Sequence, residues 1–71
     1  MVDVIEALHD SEINGEIAWF WDNSWNVKLG DPLNGYVAEA NLSNLTEAKK
    51  WLWTTAILYY PNSVFAKTGG R

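Results

Sequence analysis

The stretch Ile13–Leu29, INGEIAWFWDNSWNVKL, decides the fold. From Ile13 to Trp21, one set of alternate residues (Ile13, Gly15, Ile17, Trp19, Trp21) faces another (Asn14, Glu16, Ala18, Phe20), the period-two pattern of a half-buried strand. Asp22-Asn23-Ser24 is a turn cluster, after which Trp25, Val27 and Leu29 alternate with Asn26, Lys28 and Gly30. The length of the turn sets which faces meet. A two-residue loop, Asn23-Ser24, would put Trp19 and Trp21 on the face of Lys28 and Asn26. A three-residue loop, Asp22 to Ser24, places Trp21 beside Trp25, Trp19 beside Val27 and Ile17 beside Leu29. Only the odd register gives one continuous apolar face, so a hairpin of that kind is expected.

Working outward, Gly30-Asp31-Pro32-Leu33-Asn34-Gly35 reads as a loop, and Tyr36 to Ala40 as a third strand with Tyr36, Ala38 and Ala40 inward. Asn44 then caps a helix, with Glu47 three residues on. Leu45, Ala48, Leu52, Ala56 and Tyr59 form its apolar stripe, and Pro61 ends it. Val2, Ile5 and Leu8, with the Asp3 and Glu6 pair, predict a short opening helix, an extended arm being the alternative. Val64-Phe65-Ala66 is expected as a short edge strand or as a plug beneath the helix. The expected architecture is α+β: a small two-layer domain with a three-stranded antiparallel meander (about 13–21, 25–30, 35–41) and one long helix (about 45–60). A short N-terminal helix (about 4–9) and a short C-terminal strand (about 63–67) would complete it. Residues 1–71 form one domain, with 1–10 an arm and 68–71 a flexible tail.

A chain of 71 residues buries only about 60–65% of its unfolded surface, and with no cysteine it has neither disulfide nor thiolate metal site to compensate. Five Trp, three Tyr and two Phe are the compensating feature. The formal charge of −4 and the scatter of Lys28, Lys49, Lys50, Lys67 and Arg71 disfavour a nucleic-acid backbone as partner. No apolar run is long enough for a bilayer, and no signal core opens the chain, so a cytoplasmic, soluble protein without membrane partner is expected.

Catalytic chemistry finds little purchase. His9 is the one histidine, no G-x-S-x-G elbow or phosphate-binding glycine pattern occurs, and the nine acids are dispersed. His9, Asp10 and Glu12 match no metal-ligand spacing and read as a solvated turn. The chain is therefore read as a non-enzyme with no cofactor and no metal. The tryptophans Trp19, Trp21, Trp25 and Trp53 are expected to build the core; the alternative is an exposed stacking platform for a sugar or single-stranded nucleic acid.

The helix carries more apolar surface than one sheet needs. The flank of Trp51 and Leu58, helped by Thr55, has no evident partner within the chain, and such patches usually mark association; the alternative is that the N-terminal arm (Val2, Ile5, Leu8) or Phe65 covers it within the monomer. The leading expectation is thus a protein-interaction module, forming a homo-oligomer or docking on a larger protein. Its contact residues would be Trp51, Thr55 and Leu58, with Phe20 on the open sheet face. The alternatives are the aromatic ligand-binding module and an acidic inhibitor that mimics nucleic acid.

In its small size, acidity and lack of motifs the chain resembles small proteins carried by bacteriophages and other mobile elements, several of which inhibit bacterial defence systems. That resemblance is one of style and assigns no residue. The strand-strand-strand-helix order is similar to AP2-type and integrase-arm DNA-binding domains. Those read DNA with basic and aromatic residues on the open sheet face, where this chain offers Glu16, Phe20, Asn26, Lys28, Val37 and Glu39.

Overall fold

The computed structural model describes residues 3–68. In chain order it contains α1 (Val4–Asp10), β1 (Gly15–Trp19), β2 (Trp25–Asp31), β3 (Gly35–Leu42), α2 (Leu45–Tyr59) and α3 (Val64–Thr68). The strands form one antiparallel sheet in the order β1-β2-β3. Helix α2 packs across β2 and β3, with α1 and α3 both against α2. The expected α+β meander and long helix are present. The expected C-terminal strand is not, and α3 stands in its place.

The reason is Ser63. Its hydroxyl oxygen accepts the Ala66 N–H at 3.1 Å, and its carbonyl accepts the Lys67 N–H at 3.1 Å, so a cap and a helical turn follow Pro61-Asn62 directly. The β-branched Val64 suggests a strand, but only Phe65 of this segment enters the core, a spacing one helical turn satisfies. Of the expected tail, Thr68 ends α3 and 69–71 lie outside the described residues.

The other helix ends follow their sequence signals. The Asn44 side chain accepts the Glu47 N–H at 2.8 Å at the start of α2. At its end Tyr60 leaves the helical region (φ −127°, ψ 61°), as a residue before proline tends to do. Asp3 caps α1 through the Ile5 N–H at 2.9 Å and also accepts the Lys49 ammonium at 2.8 Å, which ties α1 to α2. Helix α1 closes with its Glu12 N–H bonded to the His9 carbonyl and its Ile13 N–H to the Leu8 carbonyl, with Glu12 left-handed at φ 60°. That is the Schellman arrangement, and the buried pair Leu8 and Ile13 supplies its usual apolar contact. Val4, Ala7 and Leu8 are the buried face of α1; Ile5 is half out, and Val2 lies outside the described residues.

The hairpin has the expected parity but a register shifted by two. Trp19 pairs with Trp25, Ile17 with Val27 and Gly15 with Leu29. The Phe20 N–H donates to the Ser24 carbonyl at 2.9 Å and the Asn23 N–H to the Phe20 carbonyl at 3.1 Å, so the loop is Trp21-Asp22-Asn23. It is three residues long, as expected, but begins one residue earlier. A three-residue loop of this type needs its last residue left-handed. Asn23, at φ 68°, adopts that conformation more readily than Ser24, which the other frame would have required to do so. Asp22 steadies the loop by accepting the Ser24 N–H at 3.2 Å.

Between β2 and β3 a bulge intervenes: Leu29 pairs with Ala38 but Gly30 with Tyr36, leaving Val37 extra. Ala38 and Ala40 stay half-buried as expected, whereas Tyr36 is turned to the open face. Gly30 is what permits this. Its φ is +106°, and a Cβ there would lie 3.0 Å from the Gly35 carbonyl oxygen and 3.1 Å from the Tyr36 Cα. The turn itself hangs on Asp31, whose carboxylate accepts the Leu33 and Asn34 N–H groups at 2.9 and 2.8 Å.

The core is aliphatic rather than indole-rich. Val27, Leu29, Ala48, Leu52, Ala56 and Phe65 are the most deeply buried side chains, with Val4, Ala7, Leu8 and Ile13 closing the α1 side. Trp25 and Trp51 pack half-buried against them, while Trp19, Trp21 and Trp53 remain exposed. This corrects the expectation that the tryptophans fill the core; the shifted register accounts for Trp21, which it carries off the sheet and into the loop.

Candidate functional site

Three surfaces could carry function. The first is the helix flank. Thr55, expected to support it, is only 8% exposed and belongs to the buried face of α2 with Ala48, Leu52 and Ala56. Trp51 is half-buried against the core. Leu58, 73% exposed, is the one residue of the three that faces water. Ala48, Leu52 and Ala56 of the expected stripe are buried, joined by Thr55, and α3 folds back on α2 and adds Phe65 to the core. Leu45 and Tyr59, at the two ends of the expected stripe, are exposed. Most of the expected contact flank is thus consumed within the chain.

The second surface is the open sheet face. Here the Tyr36 hydroxyl donates to the Glu16 carboxylate at 2.7 Å, and the Lys28 ammonium lies 5.0 Å from the centre of the Tyr36 ring. Lys28 also pairs with Glu39 at 3.6 Å, and the Asn26 amide donates to Asn41 at 2.8 Å. The hydrogen bond to Glu16 favours the neutral phenol and holds the Tyr36 pKa above its ordinary value. These groups satisfy one another. Sequence reasoning placed Glu16, Lys28 and Glu39 here but missed Tyr36; Gly30 was the signal, since a glycine inside a strand often marks a bulge.

The third surface lies where β1, an edge strand, runs beside α1. Ile5, Leu8, Ile13, Ile17, Trp19 and Leu52 line a mostly apolar groove with a cavity volume of about 390 Å³. His9, Asn14, Gly15 and Glu16 complete its lining. At the end of β1 the chain offers three consecutive aromatic side chains: Trp19 is 70% exposed, Phe20 54% and Trp21 97%. Trp19 belongs to both, lining the groove and leaning on Trp25 with ring centroids 6.2 Å apart and planes inclined by 36°. Phe20 is thus exposed, as expected, but as part of this hairpin tip. The sequence put Ile5 on the opening helix and Ile13 and Ile17 on the apolar face of the hairpin, without showing that the two elements lie side by side.

His9 and Asp10 form an exposed pair, Nδ1 to carboxylate, at 3.7 Å, and the backbone of Glu12 is committed to the end of α1. Among the described residues no three His, Asp or Glu side chains come together in a way that could hold a metal ion. No helix among them is long and apolar enough to cross a membrane. Comparison with models of protein families, with characterised proteins and with solved structures finds no match for this chain.

Proposed function

We propose that this is a non-enzymatic protein-interaction module whose contact surface is the α1–β1 groove together with the aromatic hairpin tip. The observation that carries the reading is the exposure of three consecutive aromatic residues, Trp19, Phe20 and Trp21, the first of which lines an apolar groove. Exposed aromatic surface concentrated at one place in a chain often marks a site of association. Tryptophan is also the residue type most enriched among contact hot spots.

A ligand-binding module remains the second reading, because Trp19 and Trp21 are accessible to a planar ligand. The 36° tilt between Trp19 and Trp25 weighs against it, since the two rings do not form one flat platform. The acidic-mimic reading is weaker still: Glu16 and Glu39 on the open face are engaged by Tyr36 and Lys28.

The test is photo-crosslinking in the cells that make the protein, with a photoreactive amino acid at position 21 and, as control, at position 33. Leu33 is equally exposed but lies on the other loop. A discrete protein adduct from position 21, absent from position 33 and suppressed by Ile5→Lys, is the expected result. No adduct, or the same adducts from both positions, would overturn the reading.

A further inference from the structure

We propose that an extended segment of another protein, apolar at alternate positions and carrying Lys or Arg, adds to β1 as a further strand and fills the α1–β1 groove with its apolar side chains. The inference rests on the proposed interaction surface and names the kind of partner that surface takes.

The backbone of β1 is the first observation. In an antiparallel pair, every second residue turns its N–H and C=O to the neighbouring strand. The Gly30 N–H donates to the Asn14 carbonyl at 2.8 Å and the Phe20 N–H to the Ser24 carbonyl at 2.9 Å, which fixes the parity of the ladder. Glu16 and Ala18 are therefore the residues bonded to β2, while Gly15, Ile17 and Trp19 turn their N–H and C=O groups out along the sheet edge. Among the described residues no other group bonds to them there. Edge strands are usually blunted by a bulge, a lysine or a proline. β3, the opposite edge, has its bulge at Val37; β1 runs in unbroken register over Gly15–Trp19 with neither lysine nor proline. Its residues span about 17 Å, room for a peptide strand of equal length.

The groove is the second observation. Helix α2 packs over β2 and β3, so the inner side of β1 is left to the groove, where Ile17 and Trp19 share the lining with Ile5 and Leu8 of α1. A strand added at this edge continues the pleat, so every second side chain lies on the inner side beside Ile17 and Trp19. Main-chain hydrogen bonds then give affinity, and the groove selects apolar side chains at alternate positions. A helix laid in the groove would leave the edge groups of Gly15, Ile17 and Trp19 bonded to water alone.

Charge sets the rest. From α1 to β1 the chain carries Glu6, Asp10, Glu12 and Glu16 and no Lys or Arg. Among the described residues no Lys or Arg forms an ion pair with any of the four. Asp10 has His9 at 3.7 Å, Glu16 accepts the uncharged Tyr36 hydroxyl, and Lys28, opposite Glu16 in the ladder, pairs with Glu39 instead. The field beside this edge is negative, which favours a partner segment that carries Lys or Arg.

The experiment selects ligands of the full chain from a displayed library of random linear dodecapeptides, then studies synthetic copies of the selected sequences by NMR and calorimetry. The selected sequences are expected to alternate apolar residues and to carry Lys or Arg. On binding, the amide protons of Gly15, Ile17 and Trp19 should become protected from exchange. The chain is also made by chemical synthesis with an ester in place of the Glu16–Ile17 peptide bond, which removes the Ile17 N–H and keeps the side chain. Its affinity for the peptides should fall about fivefold, the loss of one hydrogen bond. Circular dichroism checks the fold. If the ester chain fails to fold, Ile17→Ala and Ile17→Pro replace it: both shorten the side chain, only proline lacks the N–H, and an edge position tolerates it.

A library without binders, selected sequences of helical spacing or acidic character, unprotected amides at the three positions, or an ester chain that binds as tightly as its parent would each overturn the proposal. So would protection of the same amides in the free chain that rises with its concentration, which would put a second copy at the edge. A position-21 adduct that forms equally with Ile17→Ala and Ile17→Pro would sink this inference and leave the proposed function standing.

Discussion

Trp19 lies directly across the hairpin from Trp25, and this single pairing places Trp21 in the loop, outside the sheet. Shifted by two residues, the same strands would place Trp21 in the sheet beside Trp25 instead of in the loop. What holds the observed frame is Asn23, left-handed at the last loop position.

Asn23 therefore sets a first prediction. Asn23→Gly should be neutral or slightly stabilising, because glycine enters the left-handed region freely. Asn23→Val should cost roughly 1–2 kcal/mol, the penalty of a branched side chain in that region. Urea denaturation measures both, and a Val variant as stable as wild type would contradict the assigned loop.

Glu12 is the other non-glycine residue with positive φ, at 60°. It occupies the position where a Schellman motif prefers glycine. Glu12→Gly should raise stability by about 0.5–1 kcal/mol, the relief of strain being partly offset by a more flexible unfolded chain. Thermal unfolding reads the change, and a lower melting temperature would argue against this helix end.

Gly30→Ala should be damaging. The residue sits at φ +106°, with backbone atoms 3.0–3.1 Å from where a Cβ would be. A cost of about 2 kcal/mol or more is expected from strain and crowding together. Because the bulge aims Tyr36, the variant should also release the Tyr36–Glu16 hydrogen bond, visible as a return of the phenol pKa toward its ordinary value in an absorbance titration.

Acid should loosen two fixed points. Asp31 is held below the usual carboxylate range, first by the Asn34 N–H and side-chain amide and then by Asn14 and Leu33. Asp3 is lowered chiefly by Lys49, then by the Ile5 N–H. A carboxylate with a depressed native pKa contributes stability that is present above its unfolded value, about 3.9 for Asp, and is lost as pH falls through the lower native value. Stability measured by urea titration should decline below about pH 4, and the decline should be shallower in Asp31→Asn. An Asp31→Asn profile identical to wild type would remove Asp31 from this account.

Much of the architecture was legible in the sequence because its signals are local. Asn44, Asp3 and Pro61 mark helix ends through their own backbone chemistry, and the alternation from Ile13 to Leu29 carries the strands. The site was less legible because its geometry turns on single residues. One left-handed asparagine moved Trp21 from sheet to loop, one bulge opposite Gly30 moved Tyr36 from the inner face to the open one, and one serine cap made α3 a helix. Within the flank of Trp51, Thr55 and Leu58, Leu58 is exposed and Thr55 is not: a helical stripe shows which residues share a side but not where along the helix the core ends, and Thr55, not Tyr59, ends up inside.

The most direct measurement is ¹⁹F NMR of the chain labelled with 5-fluorotryptophan, at micromolar concentration, with a soluble paramagnetic agent. The five tryptophans should order by exposure: Trp21 most strongly broadened, Trp19 next, then Trp53, and Trp25 and Trp51 least. That order would establish the aromatic tip on which the interaction surface depends. A shielded Trp21 with a strongly broadened Trp51 would contradict the hairpin register and return the contact surface to the flank of α2.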